Sequence, residues 1–140
     1  MGLDMYLEGR KSVSSRYDLT DDQVKEDGFV VKSHILDLGY WRKHPQLHDF
    51  IVDTFAEGVD ECQDIFLSKQ NVHSIIEAIE NDAVYDEVVT GFFFGRSAFP
   101  GDADYEDQKA RDLKILRAAY EWLNTAPEGE WRDLYYKASW

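Results

Sequence analysis

Hydrophobic and polar positions alternate near the start of the chain and predict a first strand. Leu3, Met5 and Leu7 are apolar, whereas the residues between them are polar or amphipathic. A period of two places the three apolar side chains on one face, which indicates a strand with one buried side. After a polar stretch, apolar residues from Phe29 to about Trp41 predict a second strand.

Three helices are predicted from apolar residues at helical spacing. The first follows Pro45, whose missing N–H costs nothing in the first turn, and ends at Gly58. The second has Ser68 as its predicted N-cap, and the third, which is the longest, ends at Pro127. The apolar stripes are Leu47, Phe50, Ile51, Thr54 and Phe55, then Val72, Ile75, Ile76 and Ile79, then Leu113, Leu116, Ala119, Tyr120 and Leu123.

The remaining apolar segments predict three further strands. They cover residues 62–67, a hairpin arm leading into a strand over 84–95, and a final strand over 131–140. The run from Phe92 to Phe94 is typical of a central strand that is covered on both faces. The order β-β-α-β-α-β-α-β predicts a single α+β domain over residues 1–140, with a mixed or largely antiparallel sheet and about three helices.

The chain is acidic, and its charge is unevenly distributed. Its net charge is −13, and residues 44–87 hold eleven acids and one base. A non-specific nucleic-acid binder needs the opposite sign, because its affinity comes from neutralising phosphates, and an anionic membrane repels such a chain for the same reason. The acidic stretch is interpreted either as a solubilising face or as a mimic of nucleic acid that binds a basic protein.

Targeting signals and cysteine usage indicate the compartment. No apolar run approaches the ~18 residues of a transmembrane helix, and no basic region followed by a hydrophobic one marks a signal peptide. The single cysteine, Cys62, excludes an internal disulfide and fits a reducing cytoplasm. A lone cysteine of this kind is typically buried and inert. These features predict a soluble cytoplasmic domain and leave its function open.

No motif for catalysis is found. Residues 91–95 lack the lysine and the hydroxyl residue of a phosphate-binding loop. His44 and His48 would share a helix face as metal ligands, but Pro45 stands where a zinc-protease motif has its glutamate. A Cys62 nucleophile with His48 as its base lacks a third, orienting group. We therefore expect a non-enzymatic protein, with no metal and no cofactor.

The strongest candidate ligand site lies where the second strand leads into the first helix. Arg42 and Lys43 add positive charge to a helix N-terminus, which favours a phosphate or another anion. Tyr40 or Trp41 is expected to stack on a base, with two phenylalanines as a second wall. The alternative is a core tryptophan, core phenylalanines, and two surface cations paired with the acidic stretch. The candidate residues are Tyr40, Trp41, Arg42, Lys43, His48, Phe92 and Phe94.

Four segments of the chain resemble a family of small proteins from tailed bacteriophages and prophages. The segments are Met1–Leu7, Gly39–Lys43 with His48 and Asp60–Cys62, Gly91–Gly95, and Tyr135–Trp140. Members of that family often have Ala-Asn where this chain has His44 and Pro45. The resemblance implies expression in the cytoplasm of an infected bacterium, and no agreed activity comes with it.

Two functions are expected from these observations. In the first, a phage accessory protein counters host defence by sequestering a small anionic, nucleotide-like ligand in a pocket lined by Arg42 and Lys43. In the second, the acids of residues 44–87 mimic nucleic acid on a convex face and inhibit a basic host protein. A homo-oligomer is also compatible with the aromatic residues of the last predicted strand. These are Trp131, Tyr135, Tyr136 and Trp140.

Overall fold

A computed structural model describes residues 2–13, 25–85 and 103–140. Its elements in chain order are β1 (Asp4–Val13), β2 (Lys25–Glu26), β3 (Phe29–Val30), β4 (Ser33–Arg42), α1 (Pro45–Phe55), β5 (Ile65–Leu67), α2 (Lys69–Glu80), a 3-10 turn (Ala83–Tyr85), α3 (Tyr105–Asn124) and β6 (Glu130–Ser139). The main sheet has the order β4-β1-β6-β5, and all its described pairs are antiparallel. The predicted α+β class with three helices is confirmed.

The strand boundaries differ from the predictions in three places. The predicted second strand is divided, because Phe29–Val30 pairs with β2 in a separate hairpin and β4 begins at Ser33. The strand predicted over 62–67 begins only at Ile65, since Cys62 has a φ of 57°, which a β-ladder does not accommodate. The segment predicted over 84–95 as a hairpin arm and strand begins differently, because Val84 and Tyr85 belong to a 3-10 turn, and the rest of that segment, with Phe92 to Phe94, lies outside the described residues.

The predicted buried face of β1 is confirmed. Leu3, Met5 and Leu7 are at most 1% exposed and belong to one core with apolar residues of all three helices. On β6, the alternating residues Leu134, Tyr136 and Ala138 join the same core. The helices therefore cover one face of the sheet.

Local sequence accounts for how two of the helices are placed. The predicted cap of α2 is confirmed, because Ser68 Oγ accepts the Asn71 N–H at 3.1 Å and Asn71 Oδ1 accepts the Ser68 N–H at 3.0 Å. Helix α3 approaches β4 closely at Gly39. A Cβ at Gly39 would lie 2.4 Å from Ile115 Cγ2, so glycine is what allows this contact.

The other face of the sheet, which we call the open face, carries none of the described helices. Directly opposed residues of antiparallel strands project to the same side, so the open face consists of cross-strand rows. Read from β4 through β1 to β6, the rows are Arg42–Asp4–Ser139, Tyr40–Tyr6–Lys137, Asp37–Glu8–Tyr135, Ile35–Arg10–Asp133 and Ser33–Ser12–Trp131. Strand β5 adds Phe66 opposite Tyr135.

In the described ranges, no helix combines the length and the apolar character that crossing a bilayer requires.

Candidate functional site

The turn between β4 and α1 carries the two predicted cations. Strand β4 ends at Arg42, and Lys43 turns the chain with a φ of 56° while its N–H donates to the Leu3 carbonyl at 2.8 Å. A non-glycine residue in this left-handed region costs ~1–2 kcal/mol, so the surrounding structure must hold the turn. Helix α1 then begins at Pro45.

A buried carboxylate holds the turn from the side of α3. Asp112 is fully buried, and its Oδ1 accepts the Trp41 Nε1–H at 2.8 Å and a Gln108 amide proton at 2.8 Å. Its Oδ2 lies 2.7 Å from His44 Nε2. A buried carboxylate requires such partners, because desolvation without them is costly.

Of the two aromatic residues expected to stack on a base, Tyr40 or Trp41, Trp41 has no exposed ring face. Its side chain is 1% exposed and lies in the core. Its indole N–H is committed to Asp112. The alternative interpretation from the sequence, a core tryptophan, agrees with the structure, because Trp41 lies on the helix-covered side of β4 opposite Met5.

His48 is also an internal residue rather than part of the surface. Its Nδ1 lies 2.6 Å from the Tyr136 hydroxyl oxygen and its Nε2 lies 2.9 Å from Asp60 Oδ2, and its side chain is 1% exposed. The other Asp60 oxygen accepts the Trp140 Nε1–H at 3.2 Å. His48 was predicted to contact a ligand. In the structure its hydrogen bonds connect α1 to β6 and to the loop before β5.

The protonation pattern of this group follows from its chemistry. An ionised carboxylate only accepts hydrogen bonds, so His48 Nε2 donates to Asp60. Burial raises the pKa of the Tyr136 phenol far above its ordinary value, and the nearby charges of Asp60 and Asp49 raise it further. Tyr136 therefore keeps its proton and donates it to His48 Nδ1.

Tyr40, in contrast, lies at the surface. It is 39% exposed, and its ring centroid lies 5.4 Å from that of Tyr6 at an interplanar angle of 50°. The Tyr40 hydroxyl donates to the Asp4 carboxylate, and this hydrogen bond is the main cause of a raised pKa for Tyr40. The two tyrosines form a pair of adjacent rings on the open face.

Two exposed cations lie beside this ring pair in the sheet, and a third follows one of them in the chain. Arg42 ends the neighbouring row, Lys43 follows it, and Lys137 lies directly opposite Tyr6. None of the ion pairs found among the described residues involves any of the three. The alternative expectation that Arg42 and Lys43 are paired with acids does not hold in this part of the chain. We call Tyr6, Tyr40, Arg42, Lys43 and Lys137 the ring–cation site.

The acidic stretch is partly neutralised. Three of its nine described acids are in ion pairs with lysine or arginine: Asp64–Arg10, Glu80–Arg117 and Asp82–Lys109. Asp60 and Glu77 each lie 2.9 Å from an imidazole nitrogen, of His48 and His73 respectively. A row of solvated carboxylates, which the mimic hypothesis needs, is thereby interrupted.

Two predictions about reactive groups are answered by the geometry. Cys62 was expected to be buried but is exposed, in the loop before β5, where its φ is 57°. His44 and His48 each face a different carboxylate rather than each other. Within residues 2–13, 25–85 and 103–140, no group of three or more His, Cys, Asp and Glu side chains is placed to hold a metal ion.

No family model, curated protein or solved structure matches the chain. Its function is therefore inferred from its own geometry. Of the seven predicted ligand residues, Tyr40 and Arg42 lie on the open face, Lys43 is exposed at the turn that follows, and Trp41 and His48 are buried. The remaining two, Phe92 and Phe94, lie outside the described residues.

The sequence interpretation missed several residues of the site. Asp112 had a usable signal, because it is an acid in the stripe that also contains Leu113 and Leu116. Tyr136 also had a sequence signal, because it lies at one of the alternating positions of β6 whose side chains are buried. For Tyr6 and Lys137 no local signal exists, because only the pairing of β1 with β6 brings them together.

Proposed function

We propose that this protein is a binding module, without catalytic activity, that captures a small anionic ligand with an aromatic ring at the ring–cation site. A nucleotide has this combination of groups. The proposal rests on one observation: the pair formed by the exposed Tyr40 ring and the half-buried Tyr6 ring lies beside Arg42 and Lys137, with Lys43 next in the chain, and none of these three exposed cations has an ion-pair partner in the described part of the chain.

Charge is the first support. In a chain of net charge −13, most of the surface repels anions, so three adjacent cations form a local exception. Asp4 is the only acid in the two rows that contain Arg42 and Lys137, and it already accepts the Tyr40 hydroxyl. Hydrogen bonds from these cations to a phosphate would each contribute ~1.5–3 kcal/mol where water is partly excluded.

The aromatic pair is the second support. Tyr40 and Tyr6 lie in one row, and Tyr40 is sufficiently exposed to offer its ring face. Stacking of a nucleobase on an aromatic side chain is worth ~1–3 kcal/mol and tolerates different bases. The hydrogen bond to Asp4 holds the Tyr40 ring in place, which reduces the entropy lost on binding.

Rigid support is the third. The Arg42–Lys43 turn directly follows Trp41, whose indole N–H is hydrogen-bonded to Asp112. It precedes His48, whose imidazole is hydrogen-bonded to Tyr136 and Asp60. Sites perform best when the residues beneath them are locked by packing and hydrogen bonds. Two buried histidine–carboxylate pairs, His44–Asp112 and His48–Asp60, thus hold the start of α1 directly after the exposed cations.

A second group of cations is less suited to an anion. A groove on α3 is lined partly by Lys109, Lys114 and Arg117. Lys109 already pairs with Asp82 and Arg117 with Glu80. An anion there would have to displace these carboxylates, whereas at the ring–cation site it would not.

The resemblance to bacteriophage proteins suggests the setting. In an infected bacterium, a stoichiometric binder of nucleotide-like anions would sequester a nucleotide signal of host defence. We therefore propose mononucleotides and cyclic dinucleotides as the ligand class to test first.

The test is ligand-induced thermal stabilisation of the full chain against a panel of these nucleotides. We expect at least one to raise the melting temperature, and we expect Arg42→Ala/Lys43→Ala to abolish that rise. The control is Lys32→Ala/Lys114→Ala, which changes the net charge equally at exposed positions elsewhere and should leave the rise intact. A rise that is the same in both double variants, or no rise with any nucleotide, rejects the proposal.

A further inference from the structure

The end of the open face remote from the ring–cation site is unusually apolar for an exposed surface. Among the described residues, seven large hydrophobic side chains are exposed, and four of them lie on the open face. Three of these four belong to its remote rows: Ile35 is 63% exposed, Trp131 59% and Phe66 52%. They lie in three adjacent rows, on β4, β6 and β5, so a ligand long enough to cross the sheet could contact all three.

The same rows are acidic. Glu8 and Asp37 lie opposite each other, and Asp133 lies opposite Arg10. Arg10 is the only base in these rows, whereas the two rows at the ring–cation end have two bases and one acid. The open face is thus divided into a cationic end and an acidic, apolar end. We call the latter the acidic apolar patch, and it comprises Glu8, Ile35, Phe66, Asp37, Trp131, Asp133 and Tyr135.

Arg10 shows how the patch binds a cation. The centre of its guanidinium lies 4.0 Å from the Tyr135 ring centroid, and its terminal nitrogen is 2.7 Å from Asp64. The Phe66 ring contacts Tyr135 edge-on, with centroids 5.7 Å apart. The chain therefore already holds one guanidinium between an aromatic face and a carboxylate, the arrangement that favours cation–π contacts.

We propose that the acidic apolar patch is a docking surface for a polypeptide segment rich in arginine or lysine. Asp37 and Asp133 would accept its charged groups, while Phe66, Trp131 and Ile35 would contact its alkyl stems. The net charge of −13 would draw such a partner in from a distance. A second copy of this chain would have to place its own cationic end on the patch, against the repulsion between two chains that each carry a net charge of −13.

This proposal concerns a different surface from the ring–cation site and does not depend on nucleotide binding. The probe is a fluorescein-labelled nona-arginine peptide, titrated at about 150 mM salt, where weak long-range attraction is screened. Asp37→Asn/Asp133→Asn is compared with Asp53→Asn/Glu57→Gln, which changes the net charge equally on exposed positions of α1 and the following loop. We expect the patch variant to raise the Kd about fivefold or more, and the control to raise it less than twofold.

Apolar contacts are tested separately. Phe66→Ser/Trp131→Ser should weaken peptide binding by about fivefold, whereas Phe29→Ser/Val59→Ser, at exposed positions outside the rows of the open face, should not. If Asp37→Asn/Asp133→Asn and its charge control weaken peptide binding equally, only the total charge matters and the proposal is overturned. Equal weakening by the two serine double variants would lead to the same conclusion. A dimer in sedimentation that Trp131→Ser dissociates would also overturn it, because a second copy would then cover the patch.

Discussion

The His48 imidazole and the Tyr136 hydroxyl lie 2.6 Å apart, although 88 positions separate the two residues in the chain. This contact joins the first turn of α1 to the middle of β6. Asp60 continues the connection to Trp140 at the end of β6. Helix α1, which follows the turn with Arg42 and Lys43, is therefore connected to two other segments, β6 and the loop before β5.

Removing either member of this pair should destabilise the fold. Tyr136→Phe deletes one buried hydrogen bond and should lower the free energy of unfolding by ~1–2 kcal/mol. His48→Ala also leaves a cavity and deprives Asp60 of its donor, so a loss of ~2–4 kcal/mol is expected. Urea denaturation measures both.

The control for this pair is His73→Ala. His73 is exposed and pairs with Glu77 on the surface of α2, so its loss should cost less than ~0.5 kcal/mol. A His48→Ala variant as stable as His73→Ala would contradict a structural role for His48.

Alkaline pH should destabilise the protein through Tyr136. The unfolded phenol ionises near 10.0, whereas burial raises the pKa of Tyr136 in the folded state. The unfolded chain therefore loses this proton first, and the stability present below about pH 10 falls by ~1.4 kcal/mol per pH unit above it. For Tyr136→Phe, the free energy of unfolding plotted against pH above about pH 10 should have a slope that is shallower by this amount. Identical slopes for the two proteins would refute a buried, protonated Tyr136.

Asp112 should be the most sensitive polar position among those described. Asp112→Ala leaves the Trp41 N–H, His44 and Gln108 facing an empty site, with an expected loss of ~3–5 kcal/mol. Asp107→Ala changes an exposed acid in the first turn of the same helix and should cost ~1 kcal/mol or less. If both variants melt at the same temperature, Asp112 does not organise the turn.

Lys43 should lower the stability of the fold through its backbone conformation and raise the affinity for nucleotides through its charge. Lys43→Gly removes a left-handed lysine and should be ~1 kcal/mol more stable than Lys43→Ala, which keeps that backbone strain. Both variants lose the same charge, so nucleotide affinity should fall equally in both. Unfolding free energies and nucleotide Kd values for the pair test this, and a Lys43→Gly variant that retains full affinity would remove Lys43 from the site.

Local patterns predicted the fold well, because they follow from side-chain periodicity. Alternation at Leu3, Met5 and Leu7 gave the buried side of β1, and Ser68 gave the start of α2. The site was only partly predictable. Arg42 and Trp41 are neighbours in sequence, yet β alternation sends one outward and the other into the core.

Long-range contacts explain the remaining differences. Nothing near Trp41 in the sequence signals that Asp112, 71 positions away, accepts its indole N–H. The pairing of Tyr6 with Lys137 likewise depends on the register of β1 against β6. Such contacts are fixed by tertiary packing, which periodicity does not encode.

The most direct test of nucleotide binding is NMR titration of the isotope-labelled protein with mononucleotides and cyclic dinucleotides, with inorganic phosphate as the comparison. We predict that at least one nucleotide shifts signals of Tyr6, Tyr40, Arg42, Lys43 and Lys137, and that phosphate alone shifts only the cations. Shifts confined to other surfaces, such as the groove on α3, or the absence of shifts with every nucleotide, would contradict the account.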